Sequence, residues 1–298
     1  MKISVIVCTH NRSDLLPRTL ESLLVQDYPA SEYEVIVVDN RSTDGTKEAV
    51  SRLKDRVRYV YEETIGLSHA RNRGIRESRG EIVAFIDDDA RAEKNWLSAI
   101  HRAFDGLKDA ACVGGKVLLE WAAPRPSWWT DNMNPHLSAV DYGNQVKKLG
   151  YPAYPFGTNI VFKREAAEKA GGFNPELGRI GKKFLAGEEI EICLTIEKQG
   201  GGIYYSPEMV VHHWISPDRV TRESIYRKSY WHGRSCALVE NRHFAKKTLI
   251  KRIVWMALEI GKTATAAFRD IYTRSILYYR WGFIHQACLC LVSPSRKV

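Results

Sequence analysis

This sequence of 298 residues lacks several signatures of common protein classes. None of its six cysteines forms a Cys-x-x-Cys pair, so neither a zinc ribbon nor a secreted disulfide framework is indicated. It contains no Gly-x-x-x-x-Gly-Lys-Ser/Thr loop and no Gly-x-Gly-x-x-Gly fingerprint, which argues against the common nucleotide-binding loops. The N-terminal apolar run ends at Thr9 and is too short for a signal peptide. We therefore expect a cytoplasmic protein.

Long apolar runs are also absent. The longest uncharged run in the C-terminal region, Trp281–Ser295, has 15 residues and includes a histidine, a glutamine and a proline. A helix that crosses a bilayer needs about 20 predominantly apolar residues. The sequence therefore predicts no membrane-spanning helix in this region.

Positive charge is in excess only near the C-terminus. Residues 241–298 carry eleven Lys and Arg against two acids, Glu259 and Asp270, and this excess equals the net charge of +9 of the whole chain. The remainder is neutral overall, which argues against nucleic acid as a partner. Apolar residues at 249, 253, 256, 260, 264 and 267 predict an amphipathic helix over 246–267.

The basic helical tail over 236–298 has two possible roles. We predict that residues 245–298 hold the protein against the anionic inner face of the plasma membrane. The alternative is that these helices pack on the rest of the chain or form a homodimer contact.

The first 90 residues alternate between apolar runs and helical periods. Strands are predicted at 3–8, 35–38, 57–60 and 81–86, and helices at 15–24, 46–53 and 67–77. Ser13 or Asp14 is expected to cap the first helix. Continuous apolar strands separated by helices predict an α/β fold with a parallel sheet covered on both faces.

Polar segments follow three of these strands: 9–12, 39–40 and 87–89. Ligands of parallel sheets bind beyond the carboxyl ends of the strands, so we expect the segments to converge on one crevice. Asp87, Asp88 and Asp89 repel one another there, and Mg²⁺ or Mn²⁺ would offset the repulsion. In an extended chain, Asp87 and Asp89 point to one side and Asp88 to the other. A solvated acidic turn is the alternative.

The order and spacing of the motifs resemble the family 2 inverting glycosyltransferases with the GT-A fold. The matching segments are Thr9-His10-Asn11-Arg12, Asp39-Asn40, Arg71-Asn72-Arg73, Asp87-Asp88-Asp89, Gly157-Thr158-Asn159, Gly171-Gly172-Phe173, Gly187-Glu188-Glu189, and His213 with Arg219. The resemblance covers about residues 1–235. It implies a Rossmann-like, mostly parallel sheet flanked by helices and followed by a C-terminal helical extension. It also implies a nucleotide-binding half at 1–110 and an acceptor-binding half at 111–235.

The resemblance implies a role for most of these motifs. It implies nucleotide contacts at Thr9, Asn11, Arg12, Asp39, Arg71, Arg73, Asp87 and Asp88. Asp89 and His213 would hold Mn²⁺ or Mg²⁺, with His212 as the competing histidine. The Asp39 carboxylate would accept a hydrogen bond from N3–H of uracil, which favours a UDP-linked donor. The alternatives are a turn cap for Asp39 and solvated helix positions for the two arginines.

The Glu188-Glu189 pair stands where the family has a Glu-Asp pair whose second acid is the catalytic base. The resemblance therefore assigns the base to Glu189, with Glu188 beside it, although Glu is one methylene longer than Asp. On a helix the two side chains diverge by about 100°, so only one can lead into the site. Acids that favour a helix N-terminus are the alternative explanation.

The resulting hypothesis is an inverting glycosyltransferase. It would move a sugar from a nucleotide-sugar to a hydroxyl of a glycan or a polyprenyl- or lipid-linked acceptor. Trp128 and Trp129 could stack on an acceptor sugar, with packing in the protein as the alternative. Two rival functions are a catalytically degenerate sugar-nucleotide-binding module and a two-carboxylate glycoside hydrolase. A hydrolase would be indifferent to UDP.

Overall fold

The computed structural model describes residues 2–53, 55–179, 184–263 and 270–292. The chain divides into two compact units, each made from several stretches of sequence. The first unit comprises Met1–Glu120, Ser138–Glu176 and Glu188–Trp214. The second comprises Trp121–Leu137, Leu177–Gly187 and Ile215–Val298.

Nine strands and nine helices occur within the described ranges. The strands are β1 Ile3–Thr9, β2 Tyr33–Asp39, β3 Arg58–Tyr61, β4 Ile82–Asp87, β5 Ala90–Ala92, β6 Ala110–Trp121, β7 Lys147–Leu149, β8 Asn159–Lys163 and β9 Gly202–Ile215. The helices are α1 Leu16–Leu24, α2 Thr46–Ser51, α3 Leu67–Glu77, α4 Trp96–Gly106, α5 Arg164–Lys169, α6 Glu188–Lys198, α7 Arg222–His243, α8 Lys246–Thr263 and α9 Ile271–Val292.

The strands of the described residues form one sheet in the order β3-β2-β1-β4-β8-β6-β9-β5, and β7 also pairs with β9. Strands β3, β2, β1 and β4 are parallel, as predicted. Strand β8 joins β4 antiparallel, and β5 and β7 both pair antiparallel with β9. The predicted α/β fold with flanking helices is confirmed, although the parallel part is confined to the N-terminal half.

Strand β1 is mainly apolar, and both of its faces are covered. Val5 and Val7 belong to the core that contains Leu20 and Leu23 of α1. Ile6 points to the opposite face, as alternation along a strand requires, and lies against Gly74 of α3. The sheet is therefore covered by helices on both faces here.

The predicted cap of the first helix is wrong. Helix α1 begins at Leu16 after Leu15, and no side chain caps it. Ser13 instead donates its backbone N–H to Asp44 Oδ2 over 3.0 Å, which ties it to the loop after β2.

The second unit contains a close helix pair. A Cβ on Gly233 of α7 would lie 1.9 Å from the backbone oxygen of Tyr279 in α9, and one on Gly282 would lie 1.9 Å from that of Tyr230. The two backbones therefore meet at these glycines. Helix α8 packs on the same core through Leu249, which is buried.

The predicted helix over 246–267 is observed as α8, and its positions 264 and 267 lie outside the described residues. The predicted domain boundary after residue 235 falls inside α7 and stays a prediction. In the part of the chain that the structure describes, no helix combines the length and apolar character needed to cross a bilayer.

We expect Gly74→Ala to lower the free energy of unfolding by about 1–3 kcal/mol, because overpacking a core forces neighbouring atoms to move. The added methyl group would lie 2.4 Å from Ile6 Cγ2. Gly106→Ala is the matched control, since a Cβ there meets no atom within 4 Å. Urea denaturation of both variants measures the difference, and equal stabilities would contradict the close packing of α3 on β1.

Candidate active site

The carboxyl ends of three parallel strands meet at one edge of the sheet. Thr9 at the end of β1 is paired in register with Asp39 at the end of β2. On the other side of β1, Cys8 is paired with Asp87 at the end of β4. The three polar segments predicted to converge therefore lie side by side.

Two carboxylates and a histidine form a candidate metal group at this edge. Pairing of β5 with β9 places His213 beside Ala90, and His213 Nε2 lies 3.1 Å from Asp89 Oδ1. Asp87, Asp89 and His213 each offer a ligand atom, and these atoms all lie within 4.8 Å of one another. Asp87 and Asp89 thus face one point, as their spacing predicts.

The neighbouring histidine has a different partner. His212 points to the other face of β9, as alternation requires, and its Nε2 contacts the carboxylate of Glu93. Of the two candidate histidines, His213 is therefore the one that joins the aspartates.

Charge is crowded around the candidate metal group. The pKa of the Asp88 carboxyl is raised to about 7, first because burial penalises its charged form and then because the carboxylate of Asp89 is close. A divalent cation relieves repulsion of this kind, and carboxylate oxygens with an imidazole nitrogen suit Mn²⁺. The residues at this edge fit such a cation.

Arg71 connects the metal group to the glutamate pair. Its Nη1 donates to Glu188 Oε1 and to Glu189 Oε1, both over 3.0 Å, and its Nη2 lies 3.9 Å from Asp87 Oδ1. Burial alone would lower the pKa of the Arg71 guanidinium, but Glu189, Glu188 and Asp87 outweigh it and raise that pKa. Arg71 is therefore a charged, buried centre shared by three carboxylates.

The two glutamates differ in exposure. They occupy the first turn of α6, where 3% of the Glu188 side chain and 15% of the Glu189 side chain are exposed. Glu189 Oε1 also accepts a hydrogen bond from the backbone N–H of Gly157 over 3.2 Å. Of the pair, Glu189 is the one with the more open carboxylate.

Gly157 is glycine because no side chain fits there. A Cβ at this position would lie 2.0 Å from Arg71 Nη2 and 2.4 Å from Glu189 Oε1. The next residue, Thr158, donates its hydroxyl to Asp87 Oδ2 over 2.6 Å. The sequence identified this segment as a motif, but it did not predict that Gly157 and Thr158 orient the carboxylates of Glu189 and Asp87.

The Gly171-Gly172-Phe173 motif supports Arg71 from another side. The Phe173 ring centroid lies 5.1 Å from the Arg71 guanidinium carbon. The side-chain amide of Asn72 donates to Phe173 O and accepts from Phe173 N, both over 2.7 Å. This clamp fixes the helix turn that carries Arg71.

Asp39 is buried and already has two protein partners. Its Oδ1 accepts from the backbone N–H of Ser42 over 2.8 Å, and its Oδ2 accepts from the hydroxyl of Tyr59 over 2.7 Å. Burial and the Asp39 carboxylate raise the pKa of Tyr59 above its ordinary value. The turn-cap alternative is thus observed, and the contact with a base stays a prediction.

The other predicted nucleotide contacts are distributed unevenly. Asn11 is exposed and accepts from the backbone N–H of Thr43, which joins two loops of this edge. Thr9 is buried, and the positive charge of Arg12 offsets part of the rise in the pKa of Asp88. Arg73 forms an ion pair with Glu77 over 2.9 Å, and its contact with the nucleotide stays a prediction.

The two tryptophans lie in the second unit. Trp129 is buried, and its Nε1 donates to Asn134 Oδ1 over 2.8 Å. Its ring packs edge-on against Trp121 at 5.6 Å, so the structure supports the packing alternative for Trp129. Trp128 is partly exposed, and its acceptor contact stays a prediction.

Solved structures share this fold. A mannosyltransferase from Pyrobaculum calidifontis, in complex with GDP-Man and Mn²⁺, matches with a TM-score of 0.58 and 23% identity over 97% of this chain and 74% of that chain. Residues 1–349 of S. aureus TarS, in complex with UDP, match with a TM-score of 0.55 and 19% identity over 97% and 91%. The fold is that of the GT-A glycosyltransferases.

The sequence comparisons define the family. Residues 4–171 match the family described as Glycosyl transferase family 2. A glucosyl-dolichyl phosphate glucuronosyltransferase from Haloferax volcanii is 30% identical over 239 residues, which are 79% of this chain and 76% of that protein. The chain belongs to glycosyl transferase family 2 and is a glycosyltransferase.

We expect Arg71→Met to lower the free energy of unfolding by about 3–5 kcal/mol, because it removes one partner of a buried ion pair. Arg73→Met, two residues along the same helix, is the matched control. It breaks a half-exposed ion pair with Glu77 and should cost at most about 1 kcal/mol. Urea denaturation at pH 7 measures both, and similar losses would show that Arg71 does not balance the acidic cluster.

Proposed function

We propose that this glycosyltransferase uses a nucleotide-sugar donor, UDP-linked, and transfers the sugar to a hydroxyl of a glycan or lipid-linked acceptor with inversion. The observation that carries the proposal is the shared contact of Arg71 with Glu188, Glu189 and Asp87. It brings a candidate base and a candidate metal group to one sheet edge, as a reaction between donor and acceptor requires.

The donor site is proposed at the ends of β1, β2 and β4. Thr9, Asn11, Arg12, Asp39, Asp87 and Asp88 would contact the nucleotide. An ionised carboxylate has about four acceptor positions, so Asp39 can hold Ser42 and Tyr59 and still accept from a base N–H. Uracil N3–H is such a donor, whereas the ring nitrogen of cytosine is not. We assign Arg71 a positioning role in place of its predicted contact with the nucleotide.

The metal site is proposed at Asp89 and His213, with Asp87 beside them. A bound Mn²⁺ or Mg²⁺ would neutralise negative charge that builds up on the departing diphosphate. The hydroxyl of Thr158 holds the Asp87 carboxylate in a fixed orientation. The relative solved with GDP-Man was also solved with Mn²⁺, which supports a divalent ion here.

Glu189 is the proposed base. Its carboxylate would accept the proton of the acceptor hydroxyl while that oxygen attacks the anomeric carbon, and the nucleotide would leave from the opposite face. Its bonds to Arg71 and to the Gly157 amide fix the direction of the carboxylate. Glu188 is buried behind it and would keep Arg71 in place.

The proposed location is the cytoplasmic side of the membrane. The basic excess over 241–298 supports contact with anionic lipid. A lipid-linked acceptor would be presented at the same surface, and the relative from Haloferax volcanii is named for a dolichyl phosphate substrate.

We expect Glu189→Gln to lower turnover by about 10²–10⁴-fold, because an amide cannot take the proton. Glu191→Gln is the matched control, since Glu191 lies in the same helical turn but its Oε1 accepts from Asn174. Turnover is measured as UDP or GDP release from a panel of nucleotide-sugars with Mn²⁺, Mg²⁺ or EDTA. Calorimetry with UDP checks that the variant still binds nucleotide.

Three results would contradict the proposed chemistry. Full turnover by Glu189→Gln would place the base elsewhere. Nucleotide binding without turnover of any donor would indicate a binding module. Hydrolysis of glycosides that ignores UDP would indicate a glycosidase.

We expect His213→Ala to weaken Mn²⁺ binding by at least about 10-fold, because even the loss of a residue that orients a metal ligand weakens binding by about 10–100-fold. His212→Ala should leave Mn²⁺ binding nearly unchanged. The two histidines are adjacent, but only His213 lies with the aspartates. Titration of Mn²⁺ followed by electron paramagnetic resonance measures both variants. Equal effects would remove His213 from the proposed metal site.

A further inference from the structure

Helix α8 carries a second apolar face, on the side turned away from its own core. Leu249 and Met256 are buried in the cluster that α8 shares with α7 and α9. Ile250, Val254 and Leu258 recur every fourth residue, and 48%, 54% and 64% of their surfaces are exposed. Side chains four residues apart lie on one helix face, so these three form a continuous band, here called the outer stripe.

The outer stripe differs from the apolar face that the sequence predicts for this helix. Of that predicted face, Leu249, Ile253 and Met256 pack in the cluster shared with α7 and α9, and Leu249 and Met256 are fully enclosed. A helix that has buried one apolar face gains nothing in water from a second one. Contiguous exposed apolar surface marks a site of interaction.

Lysines surround the outer stripe. Lys246, Lys247 and Lys251 are exposed, and within the described ranges no carboxylate forms an ion pair with any of them. The acid of this helix, Glu259, is engaged by Lys262 over 2.7 Å and by Arg280 over 3.5 Å. The surface around the stripe is therefore positively charged.

This charge distinguishes between two possible occupants. Two copies of the chain that met symmetrically through the stripe would bring their own lysines together. An anionic bilayer would instead attract the lysines while it covered the apolar side chains. Trp255, half-exposed beside the stripe, has the amphipathic ring that is enriched at membrane surfaces.

We propose that the outer stripe of α8 docks on an anionic lipid bilayer. Ile250, Val254 and Leu258 enter the boundary between headgroups and acyl chains, and the helix lies in the plane of the membrane. The flexible lysine side chains reach lipid phosphates from the edge of the stripe. This inference rests on the membrane contact in the proposed function and identifies the helix face that makes it.

Flotation of the full chain with vesicles tests the proposal. The vesicles contain phosphatidylcholine alone or mixed in equal parts with phosphatidylglycerol. We expect the wild type to float only with the mixed vesicles. The triple variants Ile250→Ser/Val254→Ser/Leu258→Ser and Lys246→Gln/Lys247→Gln/Lys251→Gln should each bind about 10–100-fold more weakly. Val25→Ser/Val146→Ser removes two other exposed valines and should bind as the wild type does.

Further measurements separate this inference from the catalytic proposal. Circular dichroism checks that each variant is folded, and UDP or GDP release from the panel of nucleotide-sugars with a soluble acceptor checks that it is active. Loss of flotation with turnover retained supports the docking face even if the donor proves not to be UDP-linked. Flotation of the apolar triple variant equal to the wild type would overturn the proposal. A change from dimer to monomer without a change in flotation would assign the stripe to self-association and overturn it as well.

Discussion

One buried guanidinium holds the acidic site together. Arg71 reaches Glu188, Glu189 and Asp87, which come from two elements more than 100 residues apart in the chain. Carboxylates this close would repel one another, and their charged forms would be costly to bury without a cation among them. The Arg71 side chain thus links the position of Glu189, the proposed base, to that of Asp87 at the end of β4.

The support around Arg71 shows how backbone space is reserved for this contact. Gly157 leaves room for both the guanidinium and the Glu189 carboxylate. The hydrogen bonds between the Asn72 side chain and the Phe173 backbone fix helix α3, which carries Arg71. None of these three residues has chemistry of its own in the reaction. They nevertheless hold the flexible side chains of Arg71 and Glu189 in one geometry, because packed neighbours restrict the rotamers that each side chain can adopt.

The first four strands and first three helices could be predicted from the sequence because their signals are local. Helix α3 has the predicted bounds, 67–77, and β2 and β4 contain the continuous apolar runs Val35–Val38 and Ile82–Ile86. The antiparallel half could not be predicted, since the pairing of β8 with β4 depends on contacts far apart in the chain. The predicted cap at Ser13 or Asp14 was wrong for a similar reason, because Ser13 gives both its backbone N–H and its hydroxyl to the distant carboxylate of Asp44.

The residue types in the sequence indicated which residues form the site, but not which side chains contact one another there. The aspartates and His213 gather as their motifs imply, but an arginine near a phosphate site gives no hint that its partners are glutamates over 100 positions away. Likewise, the spacing of apolar residues in α8 predicted the face that packs against α7 and α9. The outer stripe was hidden because its members are interleaved with lysines, and only the packing of α8 shows which face remains open.

Because each of the two units is built from several stretches of the chain, the C-terminal helices cannot be removed by a simple truncation. The second unit takes segments from the middle of the sequence, and α7 runs unbroken through residue 235. A truncation at that position would leave half a helix, remove the cluster that contains Cys236, Leu249 and Phe283, and uncover the α7 backbone at Gly233. The interior of these helices is therefore tied to α7, whereas the outer stripe lies outside that core and can be replaced without disturbing it.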